Sequence, residues 1–198
     1  MHGTSTLINT YLDTADFRCI RASIEKKYYK EKLRLRCYKK PESDEENVFL
    51  EIKKKFKGRV YKRRIALTYG EAKSFFAGKK LPESRITSEI ERFMDFHGHP
   101  APAAAIIYER EPYFVTDEPT VRITFDSGLR CRFEDVLPEC GTDGGEILPK
   151  DDIIMEIKSD GGMPLWLSAV LDDMKLYPRP FSKYANAYKK YIKKKEIF

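Results

Sequence analysis

The chain has 198 residues, of which 41% are hydrophobic and 13% aromatic, so it can bury one ordinary core but is short for two. Its 37 Lys and Arg residues exceed its 31 Asp and Glu residues, and the formal charge of +6 favours polyanions such as phosphates, nucleic acid or acidic lipid surfaces. The cysteine spacing excludes the common zinc and disulfide frameworks, and neither a signal peptide nor a membrane-spanning run is visible. We therefore expect one soluble, cytoplasmic domain over residues 1–198.

Segments that alternate apolar and polar residues with period two dominate the chain and predict a mainly β protein. In chain order they cover residues 5–13, 30–40, 48–55, 59–67, 105–111, 121–126, 128–134 and 153–159. An acidic stretch at 40–47 predicts a hairpin loop, and a glycine-containing stretch at 138–146 predicts a flexible connection.

Helical patterns are fewer and lie between or after the strands. They are predicted at residues 68–78, 88–98, 164–176 and 181–195. The second helix opens with a Ser88/Glu91 capping box and stops at Gly98, and Ser182 is a plausible N-cap of the last helix. The third helix has apolar residues on one side, at Leu167, Val170, Leu171 and Met174. The last helix has an inner stripe of Tyr184, Ala187, Tyr188 and Tyr191.

The polar face of most predicted strands is cationic. In "KEKLRLRCYKK", Lys30, Lys32, Arg34 and Arg36 recur at every second residue, so a pleated strand carries all four on one face. The matching faces of the later strands carry Glu51, Lys53 and Lys55; Lys62 and Arg64; Tyr108 and Arg110; Arg122, Thr124 and Asp126; Arg130, Arg132 and Glu134; and Glu156 and Lys158. The opposite faces are mainly Leu, Ile and Val. Crowded like charges repel, so this face needs water or a bound anion.

Two arrangements account for this pattern. An antiparallel sheet with one face in the core and the other in water gives the same alternation, although a solvated face usually mixes both signs of charge. Alternatively, the strands form a barrel whose lumen is lined by Lys and Arg and whose apolar outer face is covered by helices. Such a lumen suits a compact, highly charged anion, because each charge-assisted hydrogen bond contributes about 1.5–3 kcal/mol.

Two glutamates stand among these cations, each with a lysine two residues further on. Glu51, in "LEIK", is of the kind that forms cross-strand ion pairs. Glu156, in "MEIK", is a candidate ligand for a hard divalent cation that bridges phosphate oxygens. In "FSKY", Ser182 and Lys183 offer a hydroxyl and an amine to a phosphate, and simple helix capping is the alternative role of Ser182.

Nine short motifs follow one another over about residues 9–191, in the order "YLDTADF", "KLRLRCY", "FLEIKKK", "YKRR", "YERE", "RITFD", "MEIK", "PLWL" and "FSKY". Singly they are unspecific, but their order and spacing resemble the polyphosphate polymerase domain of the vacuolar transporter chaperone (VTC) family, one of the triphosphate tunnel metalloenzymes. The resemblance implies an α+β, mainly β fold, in which an antiparallel β-barrel tunnel is open at both ends and flanked by helices.

The resemblance also implies an activity, the transfer of the ATP γ-phosphate onto an inorganic polyphosphate chain with Mn²⁺ or Mg²⁺. The ligands would be ATP, inorganic phosphate and polyphosphate, and nucleic acid would not be a ligand. Whether the protein has a membrane-protein partner stays open. Matched motif by motif, the residues that would grip the phosphates are Arg34, Arg36, Lys53, Lys62, Arg64, Arg110, Arg122, Lys158 and Lys183. Ser182 would assist and Glu156 would hold the metal. Such chemistry needs positioning and charge stabilisation, without a protein nucleophile.

Two departures from the family pattern keep alternatives open. The family tunnel normally has a basic strand before the "YLDT" segment, so a wall that lacks its first strand is one expectation. The paired-glutamate first-strand motif of the wider class is not visible, which disfavours triphosphate hydrolysis or cyclisation. A non-catalytic module that binds polyphosphate or triphosphate is therefore the main alternative to a polymerase. A nucleic-acid binder is a third hypothesis, disfavoured because few aromatic residues share a face with the cations.

Overall fold

The computed structural model describes residues 3–116 and 118–193. Its strands are β1 Ser5–Asp13, β2 Tyr29–Cys37, β3 Asn47–Phe56, β4 Arg59–Thr68, β5 Ala101–Val115, β6 Glu118–Arg132, β7 Gly145–Glu146 and β8 Ile154–Ser159. Its α-helices are α1 Arg18–Ile24, α2 Tyr69–Phe76, α3 Arg85–His97, α4 Leu165–Asp173 and α5 Lys183–Tyr188. Short helical turns follow at Pro138–Cys140 (3₁₀) and Lys189–Lys193 (π). In the described part of the chain, every helix is too short or too polar to cross a membrane.

All eight strands form one antiparallel sheet. Its order is β4-β3-β2-β1-β5-β6, and the far edge of β6 pairs with β8 along one half and with β7 near the other end. The sheet and its helices confirm the predicted α+β, mainly β architecture. The sheet curls into a tunnel-like wall without closing, because within the described residues no strand pairs with the outer edge of β4.

The strand β6 is longer than predicted. The segments 121–126 and 128–134 were expected to be separate strands, but one strand covers both up to Arg132. The register against β5 shifts between Ile107 and Glu109, and Gly128 adopts a left-handed φ of 56°. A bulge therefore absorbs the interruption and keeps the chain in the same sheet.

The helix α3 begins three residues earlier than the predicted start at Ser88. The cap is formed by Ser84, whose Oγ accepts a hydrogen bond from the Thr87 N–H at 3.1 Å, while the Ser84 N–H donates to Thr87 Oγ1 at 2.7 Å. The Ser88/Glu91 capping box is thus wrong. The end at Gly98 is confirmed, and its φ of 72° is the left-handed conformation that glycine adopts freely at a helix C-terminus.

Helices α2 and α3 cover one face of the sheet, which we call the outer face. Leu33, Leu35, Leu50 and Ile52 point to this face and are fully buried against helical residues such as Ile90. Burying each such side chain contributes about 1.5–3 kcal/mol. The apolar side of the predicted strands is therefore the outer core.

The opposite face, called here the inner face, carries Arg34, Glu51 and Asp126 together with a second apolar cluster. This cluster joins Leu7 and Tyr108 on the strands to residues of α1 and α5. The predicted face is strongly cationic, but over β1 and β5 it also carries this apolar cluster, which α1 and α5 cover. The predicted inner stripe of the last helix is confirmed, since Tyr184, Ala187 and Tyr188 are buried and Tyr191 packs against the same cluster. Residues 194–195 of that predicted helix lie outside the described residues.

Helix α4 does not bury the apolar stripe predicted for it. Leu167 is buried, but Val170 is 48% and Met174 is 61% exposed. The spacing describes an amphipathic helix, yet two of the four residues of its predicted stripe are exposed.

Candidate functional site

Three cations surround the carboxylate of Glu51 on the inner face. Strand register places Glu51 between Arg34 of β2 and Arg64 of β4. Arg34 Nε and Nη2 donate to Glu51 Oε2 at 2.9 and 2.7 Å, and Lys62 Nζ lies 3.1 Å from Oε1. Arg36 Nη1 is 3.8 Å from Oε1. Glu51 thus forms the cross-strand ion pairs expected of it.

The charge state of Glu51 follows from these neighbours. Its side chain is 1% exposed. Burial alone would raise the carboxyl pKa, but Arg34 and Arg36 outweigh burial and hold that pKa at about 2. Glu51 is therefore an ionised counter-ion that fixes the orientation of the cations around it.

Two residues of β1 hold the arginines from the other side. Tyr11 lies opposite Arg34, and its hydroxyl accepts a hydrogen bond from Arg34 Nη1 at 2.9 Å. Asn9 lies opposite Arg36, and its Oδ1 accepts from Arg36 Nε at 2.9 Å. Burial would raise the pKa of the Tyr11 phenol, but Arg34 and Lys32 bring it down to about 8. Sequence reasoning gave neither β1 residue a role, because the register that pairs them with the arginines involves residues distant in the chain.

A second buried carboxylate, Asp126, organises the other side of the inner face. Arg110 Nε and Nη2 donate to its two oxygens at 2.6 and 2.7 Å, and Lys183 Nζ donates to Oδ2 at 2.6 Å. Burial would raise the pKa of Asp126, but the hydrogen bonds from Arg110 and Lys183 lower it below its ordinary value. The Lys183 amine also lies 4.5 Å from the centroid of the Tyr108 ring. The sequence placed Asp126 on the charged face but did not identify it as the anchor of two phosphate-binding candidates.

Glu156 on β8 is the more accessible carboxylate beside this cluster. Lys158 Nζ lies 3.2 Å from its Oε1, and Arg110 Nη2 lies 3.3 Å from its Oε2. Its side chain is 41% exposed, whereas Asp126 is fully buried. Burial would raise its pKa, but Lys158 and Arg110 lower it, so the group is ionised and open to a ligand.

The residues around Glu156 fit a divalent ion that arrives with phosphates. The described residues contain no group of three or more His, Cys, Asp or Glu side chains arranged to hold a metal. Asp126 is fully buried and both its oxygens accept hydrogen bonds from Arg110. Glu156 also contacts cations but is 41% exposed, so it is the carboxylate of this pair that a ligand can reach. Mg²⁺ and ions like it commonly take one or two protein carboxylates and complete their shell with substrate phosphates and water. Glu156 offers one accessible carboxylate of this kind.

Several predicted cations on this face do not pair with a carboxylate. Lys53 forms no ion pair within the part of the chain that the structure describes. Arg64 lies over the Phe49 ring, with Cζ 4.6 Å from the centroid. The buried Arg122 Nε has no hydrogen-bond partner among the described residues. These groups remain available to bind an anion.

Helix α5 connects the two sides of the site. Ser182 caps the helix by accepting from the Ala185 N–H at 3.4 Å, and Lys32 Nζ lies 3.4 Å from the same hydroxyl. The next residue, Lys183, reaches Asp126 on β6. Because β2 and β6 are three strand spacings apart, about 14 Å in a flat sheet, one helical turn that contacts both fits a curled sheet. By strand register, Glu156 and the eight predicted cations of the strands share the inner face, which Ser182 and Lys183 reach from the start of α5.

Two further arginines from the sequence pattern do not belong to this face. Arg130 forms an ion pair with Glu109 at 2.7 Å, and Arg132 donates to the backbone carbonyls of Cys140 and Gly141 at 3.2 and 3.1 Å. The bulge at Gly128 explains the error, because one extra residue turns the following side chains to the opposite face.

The curled antiparallel sheet with its basic inner face is the triphosphate tunnel fold. A crystal structure of a proposed adenylate cyclase from Bacillus halodurans is similar, with a TM-score of 0.55 and 13% identity, over 96% of this chain and 83% of that one. At this identity the likeness shows the fold alone. A family model described as "VTC domain" matches residues 1–192, and the chain belongs to that family, as its motifs predicted. No curated protein matches the chain in sequence.

Proposed function

We propose that this protein transfers the γ-phosphate of ATP onto an inorganic polyphosphate chain held on the inner face, with Mn²⁺ or Mg²⁺. Membership of the VTC domain family supports a polyphosphate-related function. The observation that carries the proposal is the charge of this face. Among the described residues, its nine predicted cations meet three carboxylates, Glu51, Asp126 and Glu156, which leaves an excess of positive charge for a phosphate chain.

The cations divide into two groups with different parts in binding. Arg34, Arg36 and Lys62 are oriented by Glu51, while Arg110 and Lys183 are oriented by Asp126. Donors that are fixed before the ligand arrives stabilise developing negative charge without further reorganisation. The second group is less constrained and would neutralise the incoming phosphates. It consists of Lys53, Arg64, Arg122 and Lys158.

The reaction needs no nucleophile from the protein. A terminal oxygen of a phosphate chain, or of phosphate itself, would attack the γ-phosphorus of ATP while the bond from that phosphorus to the β,γ-bridging oxygen breaks, and ADP would leave with the bridging oxygen. The surrounding cations would stabilise the charge on the equatorial oxygens. Glu156 would hold the divalent ion, which when bound neutralises phosphate oxygens. Ser182 would add a hydroxyl hydrogen bond from the N-cap of α5.

The test is incubation of the purified protein with labelled ATP and Mn²⁺, with the products separated by chain length. Glu156→Gln is expected to abolish synthesis while tripolyphosphate binding stays largely intact, because the cations remain. Glu83→Gln, an exposed glutamate between α2 and α3, is the matched control and should behave as wild type. Full synthesis by Glu156→Gln would contradict the metal-binding role.

A non-catalytic phosphate-binding module is the second candidate function, and the open wall beside β4 favours it. In that case the protein would consume no ATP, yet tripolyphosphate would raise its melting temperature. Single-stranded nucleic acid that binds far more tightly than tripolyphosphate at moderate salt would contradict both functions.

A further inference from the structure

The cations of the inner face continue past the proposed transfer site towards one end of β2 and β3. Lys32, Lys53 and Lys62 lie directly opposite one another on β2, β3 and β4. Two residues further along, about 7 Å away, Lys30 lies opposite Lys55 in the same way. We call these five residues the lysine track. The track leads from the region of Glu51 to the ends of the strands.

On the outer face of the same strands, by comparison, two cations are paired with carboxylates. There, Lys54 Nζ lies 2.8 Å from Glu89 and 3.8 Å from Glu31, and Arg63 Nε lies 3.4 Å from Glu89. On the inner face, by contrast, Lys30, Lys53 and Lys55 form no ion pair in residues 3–116 and 118–193. Among the described residues of this segment, Lys54 and Arg63 of the outer face are therefore paired with carboxylates, whereas the three lysines of the inner face are not.

Unpaired lysines in direct opposition cost stability, because like charges across a strand pair repel. The same repulsion contributes to the lowered pKa of two of these amines, for which burial is the larger cause. Burial, together with Lys55 and Lys26, lowers the pKa of Lys30. Burial also lowers the pKa of Lys32, and both Lys53 and Lys30 add to that effect. A bound polyanion would remove this cost.

We propose that Lys30 and Lys55, at the far end of the lysine track, form a second subsite, which binds the part of a linear polyphosphate chain that extends beyond the transfer site, where Lys53 and Lys62 lie. The inference rests on the proposed function, since it needs a phosphate chain in the neighbouring site. Nucleic acid is a poorer ligand, because stacking of bases requires aromatic side chains beside the cations. The strand aromatics near this end, Tyr29, Phe56 and Tyr61, alternate to the outer face, where Tyr29 donates to Glu31 at 2.7 Å.

The test compares two ligands and two double variants of the full chain. Tripolyphosphate and a long linear polyphosphate are titrated into wild type, Lys30→Gln/Lys55→Gln and Lys79→Gln/Lys80→Gln. The last variant loses the same charge from two exposed lysines between α2 and α3 and is the matched control. The track variant should bind the long chain about tenfold or more weakly, since two charge-assisted contacts are lost. Its affinity for tripolyphosphate should stay within about twofold of wild type, because this short ligand occupies the transfer site without contacting Lys30 or Lys55, and salt weakens the remaining attraction to their charges.

Each outcome separates this inference from the proposed function. If the track variant weakens both ligands equally, or the control loses as much, the second subsite is wrong although phosphate binding stands. If neither ligand binds wild type, the proposed function itself fails. A single-stranded DNA of equal charge that competes as well as the long phosphate chain would overturn the choice of ligand. Folding of the track variant is checked by thermal unfolding, and without ligand it should be at least as stable as wild type, because a repulsion has been removed.

Discussion

Replacement of Glu51 by glutamine should destabilise the protein in a way that depends on pH. The substitution keeps the shape of the side chain and removes its charge, leaving Arg34, Arg36 and Lys62 around a neutral group. The pKa of Glu51 falls from an ordinary 4.5 to about 2 in the folded protein. That fall corresponds to about 3 kcal/mol of preferential stabilisation of the ionised form, in line with the cost of breaking a buried ion pair.

The pH window follows from the direction of the shift. A carboxyl group whose folded pKa is depressed contributes stability above its unfolded pKa and loses it as the pH falls through the folded pKa. The difference between wild type and Glu51→Gln should therefore be about 3 kcal/mol at pH 7 and should shrink between about pH 4.5 and pH 2. Urea unfolding of both proteins across this range measures the difference, with Glu83→Gln as the control. Equal stability at pH 7, or a loss that does not change with pH, would refute the reasoning.

Three further predictions concern other parts of the structure. Gly128→Ala should lower stability by about 1–2 kcal/mol in thermal unfolding, because Gly128 has a left-handed φ and a Cβ there would meet Glu109 and Arg130; Gly161→Ala, where a Cβ meets open space, should be neutral. Ultraviolet titration of tyrosinate should show one phenol that ionises near pH 8, and this step should vanish in Tyr11→Phe; an unchanged curve would contradict the Arg34 contact. In the native protein a thiol reagent should modify the exposed Cys140 and spare the buried cysteines, and modification of more than one thiol before unfolding would contradict their burial. The buried cysteines are Cys19, Cys37 and Cys131.

The strands could be predicted from the sequence because alternation with period two is a local property. The same pattern could not show that residues 121–134 belong to one strand, because the bulge at Gly128 depends on its pairing with β5. The bulge also explains why Arg130 was placed on the wrong face. The start of α3 was missed because Ser84 and Ser88 are both acceptable caps, and the actual cap also has Thr87 donating to the carbonyl of Pro82 at 2.8 Å.

The candidate site shows the same division between local and distant information. Alternation placed the cations on one face, and motif order assigned them roles, but neither could tell which cations are held by internal carboxylates. Asp126, Asn9 and Tyr11 contact residues of other strands and of helix α5 that are 16 to 57 positions away in the chain. Such contacts are fixed by register and curl, which a single sequence does not reveal. The apolar cluster under α5 was missed for the same reason.

The most direct test of the account uses two cations that pair with no carboxylate among the described residues, Lys53 on β3 and Arg122 on β6. Their removal leaves none of the described buried acids uncompensated, so a loss of function at an unchanged melting temperature is not a loss of fold. Wild type incubated with labelled ATP and Mn²⁺ should form polyphosphate, and Lys53→Gln/Arg122→Gln should form at least about tenfold less while it melts at the wild-type temperature. Polyphosphate formed equally well by this variant, or a wild type that neither consumes ATP nor binds tripolyphosphate, would contradict the assignment of the inner face as the site of phosphate chemistry.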